Sequence, residues 1–100
     1  MKPIIVVNFK TYKESSGKNS IKLAKSLKDA IIAVQPADIC ETSKVHQNIY
    51  CQHVDSVEQG RGTGYLTIED LIANGACGSL LNHSAHTFIT FCAKSCRPVN

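Results

Sequence analysis

The sequence predicts an α/β fold in which parallel strands alternate with helices. Three observations carry that expectation. Short strand-like runs recur along the chain, at Ile4–Val7, which is continuously apolar and β-branched, and at Ile31–Val34 and Ile49–Val54. Such runs suit strands covered on both faces, as in parallel sheets. Between them lie stretches of helical period, and polar or glycine-rich breaks separate the two kinds of element. Alternation of this kind points to βαβ units with right-handed crossovers.

The first run, Ile4-Ile5-Val6-Val7, ends in Asn8. After the polar turn Ser15-Ser16-Gly17, Ile21, Leu23, Ala24, Leu27, Ala30 and Ile31 recur at steps of three and four residues. That pattern predicts a helix with Lys22, Lys25 and Lys28 facing water. A second strand at Ile31–Val34 is stopped by Pro36, and a short helix is expected within residues 37–47. The third strand is expected over Ile49–Val54. Gln59-Gly60-Arg61-Gly62-Thr63-Gly64 must be a loop, because glycine at that density is costly in any regular element. The next helix is the best punctuated: Thr67 caps it, Asp70 is the capping-box partner, and Asn74-Gly75 supplies a left-handed stop. Gly78-Ser79-Leu80-Leu81 then leads into Asn82-His83-Ser84 as a fourth strand and its end. Thr87–Asn100 shows no clear period.

One hundred residues make one domain at most, with a modest core. Eleven Lys and Arg against eight Asp and Glu leave a net charge of +3, spread along the chain with no basic block. Nucleic-acid binding therefore has no positive support. Nothing approaches the roughly 20 apolar residues of a membrane span, and Ile4–Val7 is too short for a signal peptide core. A cytoplasmic chain is expected, with no membrane partner. Five cysteines are an odd set at irregular spacing, which speaks against a disulfide scaffold. Cys40, Cys51 and Cys77 are expected as small buried thiols.

Candidate chemistry sits where strands end. Asn8 and Lys10 follow the first strand on the same side of the alternation, at the carboxyl end where α/β proteins place ligands. An amide and an ammonium side by side suit a phosphate or a polarised carbonyl, although a Lys after a strand is ordinarily a solvated charge. His83 holds the equivalent place on the fourth strand, with Ser84 as a candidate helix cap. A neutral imidazole at a helix N-terminus can donate to a developing oxyanion; a structural histidine is the plainer alternative. Gly60-x-Gly62-x-Gly64 fits neither phosphate-loop spacing and reads as a plain loop. His83, His86, Cys92 and Cys96 are all residue types that zinc accepts, at a spacing that is not standard, so a small zinc-holding or binding protein stands as the alternative.

Asn8-Phe9-Lys10-Thr11-Tyr12 resembles the opening motif of archaeal triosephosphate isomerases. Gln52-His53-Val54-Asp55-Ser56-Val57 is similar to their third strand and the residues just after it. Gly62-Thr63-Gly64 is similar to their interface loop, and Asn82-His83-Ser84 to their catalytic-histidine segment. The resemblance covers about residues 1–86, with a gap near residues 28–35, and leaves 87–100 as a divergent tail expected to be disordered or poorly packed. It implies a partial TIM barrel of about four βα units, because closing the eight-stranded barrel takes about 250 residues. It implies interconversion of dihydroxyacetone phosphate and glyceraldehyde 3-phosphate without a cofactor. Lys10 would hold the anionic groups, Asn8 would help bind substrate, and His83 would be the electrophile. This family is itself a general example of a catalytic imidazole kept neutral by a helix N-terminus, so the histidine role is inherited from the resemblance. Thr63 and Gly64 would enter a neighbouring subunit, making a homo-oligomer.

The departures from the pattern are equally specific. Ala85 stands where the family has Glu, and Thr87 where it has Arg. The proton-abstracting Glu, the lid and the later phosphate loops would lie past residue 100, so the chain is expected to be truncated and inactive alone. The loss of match after His86 is what a frameshift or premature stop would leave. Four parallel strands alone would also leave two open edges and an uncovered interior face.

Overall fold

The computed structural model describes residues 3–81 and 84–91, and for 84–87 the backbone alone. Its centre is a five-stranded sheet in the order β1-β2-β3-β4-β5, comprising β1 (Val6–Asn8), β2 (Ile31–Val34), β3 (Ile49–Cys51), β4 (Gly78–Leu81) and β5 (Ser84–Thr90). The first four strands are mutually parallel, with Val7 beside Ile32, Ala33 beside Tyr50, and Tyr50 beside Gly78. Helices α1 (Lys18–Ser26), α2 (Ile39–Ser43) and α3 (Ile68–Ala73) lie between successive strands. The result is a half-barrel of the α/β class, as the alternating pattern predicts.

Strand alternation sorts the core into two layers. Phe9, Ile32, Val34, Ile49 and Cys51 share the face on which the helices pack, together with Ala24, Ile39 and Leu71 from those helices. Ile31, Ala33, Tyr50 and Leu80 share the other face, which is the inside of the half-barrel. The helix α1 stops at Ser26, short of the expected periodic stretch, because Ala30 and Ile31 are needed at the start of β2. Lys22, Lys25 and Lys28 are exposed, as expected. Pro36 opens a 3-10 turn that runs into α2, so residues 37–47 do hold a short helix. Thr67 caps α3 by accepting from the Asp70 N–H at 3.2 Å, and Gly75 adopts φ +105°, the left-handed stop expected there.

Some expectations need correction. The first strand spans Val6–Asn8 rather than Ile4–Val7 and lies at the sheet edge, pairing only with β2, and Ile4 and Ile5 are half exposed ahead of it. The third strand ends at Cys51 rather than Val54, since the chain there leaves the sheet to form a loop. The largest departure is β5, which runs antiparallel to β4 and pairs Gly78 with Thr90 and Leu80 with Phe88. The boundary placed at residue 86 falls inside this strand, so the first residues of the expected tail are part of the sheet. β5 takes up the open edge of β4, and Phe88 packs its ring edge-on against Tyr50 with centroids 5.7 Å apart. The Tyr50 hydroxyl meets Thr90 Oγ1 at 2.6 Å. Tyr50 is thereby fully buried, and the interior face expected to stand uncovered is filled by its ring. Residues 92–100 lie outside the described residues.

The three cysteines differ among themselves. Cys51 is a buried free thiol, with its pKa pushed up by burial. Cys40 is free but exposed, because Ile39 and Thr42 are the residues of α2 that turn inward. Cys77 is disulfide-bonded, a link that the expectation of a reduced chain did not include. Among the described residues no helix is long and apolar enough to cross a membrane.

Candidate active site at the carboxyl ends of the strands

At the end of β1 the backbone is anchored before it turns. Phe9 is buried, its N–H donates to Ala33 O at 2.9 Å, and its carbonyl accepts from Ser15 Oγ at 2.5 Å. Lys10 follows at φ +52°, the one non-glycine residue with positive φ among the described residues. A left-handed backbone costs an ordinary L-residue about 1–2 kcal/mol. It persists where surrounding contacts over-determine it, which happens most often at functional sites. Here two side chains hold it. Asn8 Oδ1 accepts from the Lys10 N–H at 2.9 Å, and Gln52 Nε2 donates to the Lys10 carbonyl at 2.8 Å.

The turn breaks the strand alternation that would put Asn8 and Lys10 side by side. Asn8 instead uses its amide oxygen to brace the Lys10 backbone, while Lys10 itself is exposed. Gln52 makes a contact at the strand ends to which sequence reasoning assigned no role. A polar residue directly after a strand, in the same motif as His53 and Asp55, was the one signal for it. Its long-range bond to Lys10, across 42 residues of chain, leaves no local trace.

The chain then enters the loop that contains Thr63 and Gly64. Asp55 closes its neck: the Asp55 N–H donates to Leu66 O at 2.9 Å, and Asp55 Oδ2 accepts from the Leu66 N–H at 2.7 Å. His53 Nε2 meets Asp55 Oδ1 at 2.8 Å. Residues 56–65 are exposed throughout, and Gly64 takes φ +83° at the loop's return. The Leu66 N–H, and then the His53 ring, hold the Asp55 carboxyl below its ordinary pKa of 3.8. A lowered folded-state value means the latch contributes fully above the unfolded pKa and is lost as pH falls through the folded one. Acidification below about pH 4 is therefore expected to release the loop neck, read as loss of hydrogen-exchange protection at the Leu66 amide. Asp55→Asn should remove that pH dependence; an identical acid transition in the variant would assign the release to another group.

Asn82, His83, Cys92 and Cys96 lie outside the described residues, as does the side chain of His86. Ser84 does not cap a helix: it opens β5, which pairs with β4. The helix N-terminus on which a neutral His83 was argued is therefore replaced by a strand. Among the described residues there is no group of His, Cys, Asp and Glu able to hold a metal.

Four parallel strands with helices between them, and a left-handed, clamped lysine at the carboxyl end of the first strand, place the chain in the (β/α)-barrel fold class. Residues 3–90 match the family model described as triosephosphate isomerase, and the chain belongs to that family. The triosephosphate isomerase of Methanobrevibacter smithii is 43% identical over 91 residues, covering 82% of this chain and 41% of that protein. The Methanothermus fervidus enzyme of the same name is 42% identical over 92 residues, covering 83% and 41%, and that of Metallosphaera sedula 42% over 91, covering 82% and 40%. All three are archaeal, and the chain spans about two fifths of their length.

Proposed function

We propose that this chain carries the triose-phosphate-binding portion of an isomerase site and does not turn over substrate by itself. The observation that supports it most directly is the strained Lys10, braced by Asn8 and Gln52 at the strand ends. An exposed ammonium on a backbone held in this way is a point charge suited to the phosphate or enediolate oxygens of a triose phosphate. His83, by its place after β4, is the electrophile of the same reading, and no cofactor is required. The reading assigns no residue of this chain as the general base, and proton transfer between the two carbons requires one. Thr63 and Gly64 occupy the exposed, latched loop and fit a contact with a second copy of the chain. The same reading assigns the chain to the cytoplasm, where membranes retain charged phosphate esters.

The test uses the 100-residue chain purified from a host without its own isomerase. It is expected to show no isomerisation of glyceraldehyde 3-phosphate above a Lys10→Ala control. It is also expected to bind glycerol 3-phosphate weakly, with that binding lost in Lys10→Ala. Turnover that disappears in the control would instead mean that the site is completed across chains. Binding unaffected by Lys10→Ala would remove Lys10 from the site.

A further inference from the structure

Gln52 joins three strand ends. Its backbone N–H donates to Val34 O at 3.1 Å, which continues the β2–β3 ladder past Cys51. From that fixed point its side-chain amide reaches the Lys10 carbonyl at 2.8 Å and lies 3.4 Å from Ala33 O. Ala33 O is also the acceptor for the Phe9 N–H, so the same carbonyl ties the end of β1 to β2. Lys10 therefore has its N–H held from its own strand by Asn8 and its carbonyl held from β3 by Gln52. Asn8 is two residues away and moves with the turn it braces. Gln52 follows directly on β3, so of the two side chains that hold Lys10 it is the one that references the turn to the rest of the sheet.

We propose that Gln52 is a positioning residue for Lys10, holding its backbone in the left-handed conformation that directs the ammonium toward an anionic ligand. The proposal rests on the reading of Lys10 as the phosphate-ester contact, but its backbone part can be measured without any ligand. The Gln52 amide has to donate for this to work, since its partner is a carbonyl oxygen. Replacement by a side chain of similar length without a donor removes the link and leaves the Lys10 carbonyl to water. The lysine then relaxes toward negative φ, where most residues are stable.

The experiment uses the isotopically labelled 100-residue chain. Backbone coupling constants that report φ at Lys10 are measured first, and a negative φ in the unsubstituted chain would overturn the proposal at once. Gln52→Met keeps length and volume, and Gln52→Glu keeps shape while exchanging the donor for an acceptor. Both are expected to shift Lys10 to negative φ. Gln52→Met is further expected to weaken glycerol 3-phosphate binding roughly threefold to tenfold, the range one hydrogen bond supplies. A positive φ retained in the folded variants, with lower thermal stability alone, would make Gln52 a purely structural residue and sink the idea. Loss of folding in both variants would do the same. If the unsubstituted chain binds no glycerol 3-phosphate, the functional reading fails, while the φ measurement still decides the role of Gln52.

Discussion

Gly78→Ala is expected to lower the melting temperature of this chain by on the order of 10–20 °C. A Cβ at this position would collide with the Ile89 carbonyl of β5 and with the ring of Tyr50, one carbon of which would lie 2.8 Å away. Both neighbours are fixed. Ile89 belongs to the β4–β5 ladder, and Tyr50 is fully buried, so neither can step aside as an exposed side chain would. Overpacking of this kind costs about 3 kcal/mol, and each kcal/mol moves the midpoint of a domain this size by about 4–8 °C. Thermal unfolding followed by circular dichroism, at one pH and protein concentration, measures the shift. A midpoint unchanged from the parent chain would show that β5 does not pass over Gly78 in solution.

Tyr50→Ala is the second large effect, expected at about 3–5 kcal/mol, which is what truncating a buried aromatic ring typically costs. The ring fills the inner face between Ile31, Ala33 and Leu80, and gives Phe88 its edge-on partner. Tyr50→Phe separates packing from hydrogen bonding. It keeps the ring and loses only the 2.6 Å contact with Thr90, whose hydroxyl is exposed and can turn to water. About 1 kcal/mol or less is expected for that variant. The double variant Gly78→Ala with Tyr50→Ala should be less destabilised than the sum of the two, because removing the ring relieves part of the clash. Strict additivity in urea unfolding would mean that the two residues do not share the space described.

These two positions also explain why a half-barrel can have a buried interior. An open sheet of four parallel strands exposes its inner face and the edge of β4. Here the antiparallel return of β5 covers that edge, and Tyr50 with Phe88 fills the inner face, so Ile31, Ala33 and Leu80 are buried as well. The edge of β1 is different, with Ile4 and Ile5 half exposed beside it.

Much of the framework was legible in the residues alone. Ile31–Val34 is β2 to the residue, because a β-branched run between a polar stretch and Pro36 admits few other structures. Thr67 and Gly75 bound α3 as their capping chemistry requires. Lys10 and Asn8 could be picked out by their position after an apolar run, and the family motif assigns them a role. Such features are decided within a few residues of chain, where sterics and capping act, and so they show in a short window of sequence.

What only the tertiary structure decided depends on groups far apart in the chain. The left-handed turn at Lys10 is held by Gln52, 42 residues on, and no local rule forces a lysine into that conformation. The loop latch requires Asp55 to meet Leu66, and the interior requires Tyr50 to meet Thr90, 40 residues away. The direction of β5 is of the same kind: residues 84–90 carry no helical period, but whether they pair antiparallel with β4 is set by what Tyr50 and Gly78 offer them. The sequence by itself determined where the first four strands and the helices between them fall, to within a few residues, because that is a matter of local energetics. The site's conformation and the closure of the core were left to long-range contacts, whose free energy exists only once the sheet has brought the partners together.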